Sequence, residues 1–306
     1  MKAEQKKFAS KAGRRMRFVE NCWGFGMISV SIISILVFTV YPLIFSFVIS
    51  FEKWTPLKGG TFLGLTNYFN VLKDNLFHRA MTNNFAYAFW TILAGFIFSY
   101  GAALVVWKLP FKNIFRFIYF IPTICSSIMI SLIWKYLLQP QIGLVNTILR
   151  AVGFSSPPDW INSAATAPGV LYTIVVWAGL GYWMLVFLTG LLDIPNTYYE
   201  AATLDGAGSW RQFFYITIPL STPIIFFYLS MALLTCWGQF DLARVLGGDG
   251  GPRNSLLFPG ILIYRTSFNS MDFGRAAAMG WELAVFIFVI SFINNRLSKL
   301  WLSYDR

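Results

Sequence analysis

The stretch "WGFGMISVSIISILVFTVYPLIFSFVISF", residues 23–51, holds no Asp, Glu, Lys or Arg and shows no alternation of apolar and polar residues. Crossing the hydrocarbon interior of a bilayer as a helix takes about 20 apolar residues. Lipid offers no partner to free backbone groups, so such a run is expected to be a helix that satisfies its own amides and carbonyls. Charge-free runs recur at 21–51, 80–107, 117–134, 160–192 and 212–240, and a sixth, 276–295, contains the single acid Glu282. The third is only just long enough. The expected fold class is an all-α polytopic membrane protein forming one transmembrane domain. Its six spans fall at about 24–50, 82–107, 115–138, 168–192, 220–241 and 276–297.

Composition agrees. Of 306 residues, 57% are hydrophobic and 19% aromatic, while only 12% are charged, which lies outside the range of a water-soluble domain. The net charge of +11 raises the question of nucleic acid. Seven of the basic residues precede the first span: Lys2, Lys6, Lys7, Lys11, Arg14, Arg15 and Arg17. That is the pattern of a cytoplasmic flank (1–22), so no nucleic-acid partner is expected. The first run is longer than a signal-peptide core and lacks a small-residue cleavage site, so it is expected to be retained. Cys22, Cys125 and Cys236 are scattered and give neither a disulfide framework nor a metal site. Basic residues are denser in the segments assigned inside (1–22, about 108–116, 193–221 and 296–306, which takes in the tail 298–306), which puts both termini in the cytoplasm. Trp23, Trp54, Trp107, Trp160 and Trp301 near span ends fit interfacial belts.

Between the fourth and fifth spans the chain reads "TYYEAATLDGAGSWRQFFYITIPL", residues 197–220. Thr197-x-x-Glu200 and Ser209-x-x-Gln212 each have the spacing of a capping box, in which a hydroxyl takes an orphan amide and the acid or amide reaches back. Ala201, Ala202 and Leu204 favour helix; Gly206 and Gly208 are placed to stop it. Two short helices with a stiff elbow are expected. A surface-lying amphipathic connector fits less well, because only Arg211 is available to meet anionic lipid. Glu200 has two readings here, a cap alone or a cap that also makes a contact.

Glu200-Ala201-Ala202, Gly206 and Ile216-x-x-Pro219 resemble the EAA loop of membrane subunits of bacterial ATP-binding-cassette importers, with Ile218 standing where leucine is usual. "FLGLTNYFNVL" (62–72), "FRFIYFIPTI" (115–124), "GLVNTILRAVGF" (143–154), "GLLDIPNTYYEAA" (190–202) and "IYRTSFNSMDFGRAAAM" (263–279) narrow the resemblance to carbohydrate permeases of the maltose-transporter type, over nearly the whole chain. The chain differs in having only six spans and a short second external loop. The resemblance implies a type I importer permease fold, with Glu200, Ala201, Ala202, Asp205, Gly206 and Gly208 coupled to an ATPase. It also implies a related second permease, two ATPase subunits holding ATP and Mg, an extracytoplasmic solute-binding protein and a sugar or oligosaccharide cargo. No lysine follows a glycine in this chain, so it carries no P-loop, and no cofactor or metal is expected on it. ATP binding would close the ATPases and switch the spans from inward- to outward-facing.

A sugar path through a membrane needs hydroxyl partners and aromatic faces. "WAGLGYW" (177–183) supplies aromatics beside glycines, and Thr235, Cys236 and Gln239 are expected on one side of the fifth span. The resemblance matches sugar contacts to Trp177, Ala178, Gly179, Tyr182, Ala232, Thr235, Cys236 and Gln239. Plain helix packing for Trp177 and Tyr182, and interhelical hydrogen bonding for Gln239, are the alternatives. Glu282 either faces the path, is wetted near a span end, or pairs with a cation of the partner permease, the last being favoured. Lys135 is expected to snorkel, His78 to be solvated in a loop, and Pro42 and Pro122 to kink or end helices. "GGDGGPRNS" (247–255) is expected to be an external loop of high backbone freedom. It resembles the family's loop that meets the binding protein.

An ion-coupled secondary transporter would carry more intramembrane acids and a repeat between halves. A membrane enzyme would carry a His, Asp or Cys cluster. Neither pattern is present in the sequence.

Overall fold

The structure, a computed structural model, describes residues 23–109 and 112–301. The expectations for the basic segment 1–22 and for the last residues of the tail lie outside them. Five helices are long and apolar enough to cross a membrane, and a sixth span exists if one sharply bent helix pair is counted as one. The helix α1 runs Trp23–Ser50, α3 Asn75–Lys108, α7 Ala167–Leu192, α9 Ser209–Gly238 and α12 Phe273–Trp301.

Pro42 does not end α1. A π-helical turn at Leu36–Val40 precedes it, with the Tyr41 amide reaching the Leu36 carbonyl, so the missing proline donor is absorbed by a locally widened helix. The same device, Phe213–Thr217, precedes Pro219 in α9. Pro122 behaves otherwise. The expected third span is two helices, α4 Lys112–Ile124 and α5 Ser127–Leu137, bent by 93°. Ser126 is extended between them, and Thr123 Oγ1 donates to the Ala178 carbonyl at 3.0 Å, pinning the corner against α7.

Beyond α1 the chain forms a small hairpin, β1 Glu52–Thr55 against β2 Gly59–Phe62, with Glu52 opposite Phe62 and Trp54 opposite Gly60. Then α2, Thr66–Leu72, closes the end of α1: Asn67 Nδ2 donates to the Ser50 and Glu52 carbonyls, 2.9 Å each. Asp74 caps α3 through the Leu76 amide and pairs with Arg275 of α12 at 2.6 Å. His78 is exposed in the first turn of α3, not in a loop.

The shorter helices are α6 Leu144–Ala151, α8 Asn196–Leu204, α10 Asp241–Gly247 and α11 Pro259–Tyr264, the last continued by a π turn, Arg265–Asn269. Lys135 on α5 does not simply snorkel; its Nζ donates to the Val245 carbonyl of α10 at 2.9 Å. Glycines set the closest crossings. A Cβ at Gly181 of α7 would fall on the Tyr119 carbonyl of α4, and one at Gly190 would lie 2.7 Å from Ile224 of α9. Two buried clusters result. One, near the hairpin end, includes Leu171, Ile174, Trp237, Phe258 and Ile261; the other, nearer the elbow, includes Tyr100, Met184, Phe187, Leu191 and Tyr228.

Candidate functional site

Two places are candidates: an elbow between α7 and α9, and a cavity among α3, α7 and α9.

The elbow forms, but not by the expected caps. Pro195 occupies the N-cap of α8 with Asn196 as its first residue, which places Thr197 inside the helix; no side chain caps it. Gly208, extended at φ −71° and ψ 166°, is the N-cap of α9, so Ser209 is its first residue and also caps nothing. Neither capping box exists. Gly206 does take the left-handed conformation, φ +78°. Its amide bonds the Thr203 carbonyl (3.0 Å) and the Ala207 amide bonds the Ala202 carbonyl (2.8 Å), the paired bonds of a Schellman end. What stiffens the elbow is Gln212, whose Nε2 reaches back to Thr203 Oγ1 at 3.0 Å and the Ala207 carbonyl at 3.1 Å. Tyr199 OH and Thr217 Oγ1 lie 3.1 Å apart, and the Tyr199 ring leans on Trp107. Glu200, Ala201, Asp205, Gly206 and Gly208 are exposed on the outer side, and Leu204 is 90% exposed beside them. Ala202 is half-buried.

The cavity encloses about 130 Å³ and brings together Gly179, Ala232, Thr235 and Cys236 of the expected set. Tyr87, Thr91, Gly95 and Ser99 of α3 supply its other wall, with Trp183 and Tyr228 at one end. Sequence reasoning missed these. Their signal was present as polar or small residues at every fourth position of one apolar run. Tyr228 OH donates to the Ile92 carbonyl at 2.8 Å and its ring meets Trp183 edge-on at 4.8 Å. Ser99 Oγ is buried without a partner among the described residues.

Four expected residues, Trp177, Ala178, Tyr182 and Gln239, do not line it. Trp177 and Tyr182, 42% and 45% exposed, lie outside the cavity. Trp177 packs edge-on against Trp134 and lines a separate groove with Trp90 and Phe98, while Tyr182 leans on Trp183. The Ala178 carbonyl is taken by Thr123 of α4. Gln239 does not share a helical side with Thr235 and Cys236, because α9 tightens to a 3₁₀ turn at Cys236–Gly238 and Gln239 is extended. Its Oε1 accepts from Tyr87 OH at 3.3 Å, at the edge of the cavity, and its Nε2 is buried without a partner among the described residues.

Glu282 on α12 has both carboxylate oxygens buried and no partner among the described residues. The 247–255 loop is pinned rather than free. Asp249 pairs with Arg244, its carbonyl takes Arg265 Nη1 (2.9 Å), and its other carboxylate oxygen takes Asn269 Nδ2 (3.1 Å). Asn83 Nδ2 holds the Asn254 and Leu257 carbonyls from α3. Gly248, Gly250 and Gly251 have positive φ, as the tight path requires.

Residues 92–301 match the family model described as binding-protein-dependent transport system inner membrane component. The chain is 32% identical to a probable ABC transporter permease protein, YesP, of Bacillus subtilis (strain 168), over 97% of this chain and 96% of that one. It is also 32% identical to the arabinooligosaccharides transport system permease protein AraP of the same organism, over 87% and 85%. Its fold superposes on a chain of a bacterial alginate ABC transporter solved in complex with an alginate pentasaccharide-bound periplasmic protein. The TM-score is 0.80 at 22% identity, covering 92% of this chain and 96% of that one.

Proposed function

We propose that this chain, which belongs to the binding-protein-dependent transport system inner membrane component family, is the permease subunit of an ATP-driven importer that passes a sugar or oligosaccharide across the bacterial cell membrane. A solute-binding protein delivers the cargo at the face bearing the 247–255 loop. A second, related permease completes the conduit, and of two separate ATPase subunits, holding ATP and Mg, one docks at this elbow and the other at the partner permease. Both termini lie on the ATPase side, in the cytoplasm.

The observation that carries this reading is the elbow itself. A short helix is locked to α9 by Gln212 and turned by a left-handed Gly206, and it presents Glu200, Leu204 and Asp205 to the outside. A rigid protrusion of this shape transmits displacement; a loose loop would absorb it. The cavity provides hydroxyl donors and acceptors beside the Trp183 and Tyr228 rings, the mixture that sugar surfaces require, with Tyr87 and Gln239 at its edge. Trp177 and Tyr182, exposed on α7, face outward from this chain and would meet cargo only where a second permease closes the conduit.

The test is Gly206→Phe in the reconstituted transporter. A left-handed φ costs a side-chain-bearing residue about 1–2 kcal/mol, so the elbow must be redrawn. Stimulation of ATP hydrolysis by loaded binding protein is expected to fall by at least tenfold while the chain still inserts. Normal stimulation would remove the docking role.

A further inference from the structure

The elbow has an inner side, and it does not face the outside where Glu200, Leu204 and Asp205 lie. Between that inner side and the end of α3 is a groove of about 650 Å³. Its lower wall is apolar, built from Leu104, Val105 and Phe213, and Val105 is 61% exposed. Trp107 and Trp210 flank it, as amphipathic rings do at the boundary between hydrocarbon and water. Its rim carries Lys108 and no carboxylate. Lys108 has no hydrogen-bond or ion-pair partner among the described residues.

The rim has further positive character. Asn196 and Ser209, both on the rim, are the first residues of α8 and of the 30-residue α9, and no side chain caps either helix. First-turn amides that no side chain caps, at the positive ends of two helix dipoles, favour an anion. The occupant must therefore be an anion joined to hydrocarbon.

We infer that this groove binds one anionic phospholipid, its phosphate held between Lys108 and the uncapped ends of α8 and α9 and its acyl chains along Leu104, Val105 and Phe213. A soluble anion would leave the apolar wall uncovered. The chain's own segment 1–22 carries seven Lys and Arg against two Glu, the wrong net charge for a rim that favours anions. A bound lipid would fill the space between the elbow and the span, so that a push on α8 reaches α3 and α9 without loss.

The experiment uses the purified full chain in detergent, incubated with equal amounts of dioleoyl phosphatidylglycerol and dioleoyl phosphatidylcholine, and counts bound lipids by native mass spectrometry. One retained phosphatidylglycerol, preferred over phosphatidylcholine, is expected. Lys108→Gln should lower that preference about fivefold, the factor for one basic residue near an anionic surface, and Lys108→Arg should keep it. Val105→Trp, which fills the apolar wall and leaves the charge, should also release the lipid. Arg211→Gln, on the exposed outer side, should change nothing. Equal retention of both lipids overturns the inference, as does retention unaffected by both Lys108→Gln and Val105→Trp. Displacement by inorganic phosphate or by stoichiometric ATPase subunit would assign the groove to a soluble anion or to the motor instead, and would equally overturn it. None of these readouts depends on transport.

Discussion

Gly181 and Gly280 lie in two of the long helices and look alike in sequence, yet their surroundings differ. A Cβ at Gly181 would strike the backbone of Tyr119 and Phe120, which cannot rotate away, whereas Gly280 has nothing within 4 Å. Gly181→Ala is therefore expected to destabilise the chain by about 1–3 kcal/mol through overpacking, or to push α4 off α7. Gly280→Ala should be neutral or stabilise by up to about 1 kcal/mol, because it removes helix-interior glycine entropy. Thermal midpoints of the purified chain in detergent discriminate the two. Equal shifts would mean that the α4–α7 crossing is looser than its geometry. Gly95 is intermediate: a Cβ there meets Tyr228 OH at 2.5 Å, the hydroxyl that bonds Ile92. Gly95→Ala should evict that hydroxyl and narrow the cavity, a change visible as altered transport kinetics with assembly intact.

At the scale of elements, the elbow decides most. Gln212 joins α8 to α9 through two hydrogen bonds, each worth about 0.5–1.5 kcal/mol, whereas Thr197 caps nothing. Gln212→Ala should loosen the segment and speed amide exchange over residues 196–208 by about tenfold, and Thr197→Ala should leave it unchanged. The reverse order would restore the capping-box reading. The elbow's place was legible in the sequence, because Gly206 must turn and the apolar runs on either side must stop. Its cap residues were not, since Ser and Thr at the first or second helical position have the same spacing to Glu or Gln as at the N-cap. Which position they take depends on where Pro195 and Gly208 start the helices. The bend after Pro122 was half legible: proline announces a disturbance, but two other prolines are absorbed by π turns. Only the Thr123 bond to Ala178, a contact far along the chain, explains why this one turns a corner. The α3 wall of the cavity could be read from its spacing. The displacement of Gln239 could not, because it follows from a 3₁₀ turn that no local residue dictates.

At the scale of the whole molecule, long apolar faces are left uncovered by the chain's own described residues. Among the residues of α1 whose surroundings are described, only Ile49 and Ser50 are buried by the chain, as expected of a helix set mostly against lipid or another subunit. The ion pair of Asp74 with Arg275 ties α3 to α12 at the hairpin end, while the elbow protrudes at the other. Between them Glu282 holds two buried carboxylate oxygens that no donor of the described chain reaches. A buried acceptor without a donor costs about 1–3 kcal/mol or more when charged, so nothing among the described residues rewards an acid at that position. Glu282→Gln should accordingly leave the thermal midpoint of the isolated chain unchanged or raise it. In the assembled transporter, the proposal that a cation of the partner permease meets Glu282 predicts the opposite sign. The same substitution should weaken co-purification of the two permeases by at least fivefold, and Glu282→Asp should recover part of the loss. A lower midpoint for the isolated variant would place a donor for this carboxylate inside the chain. Unchanged co-purification would leave the acid facing the conduit, where its effect would be read in the transport of cargo.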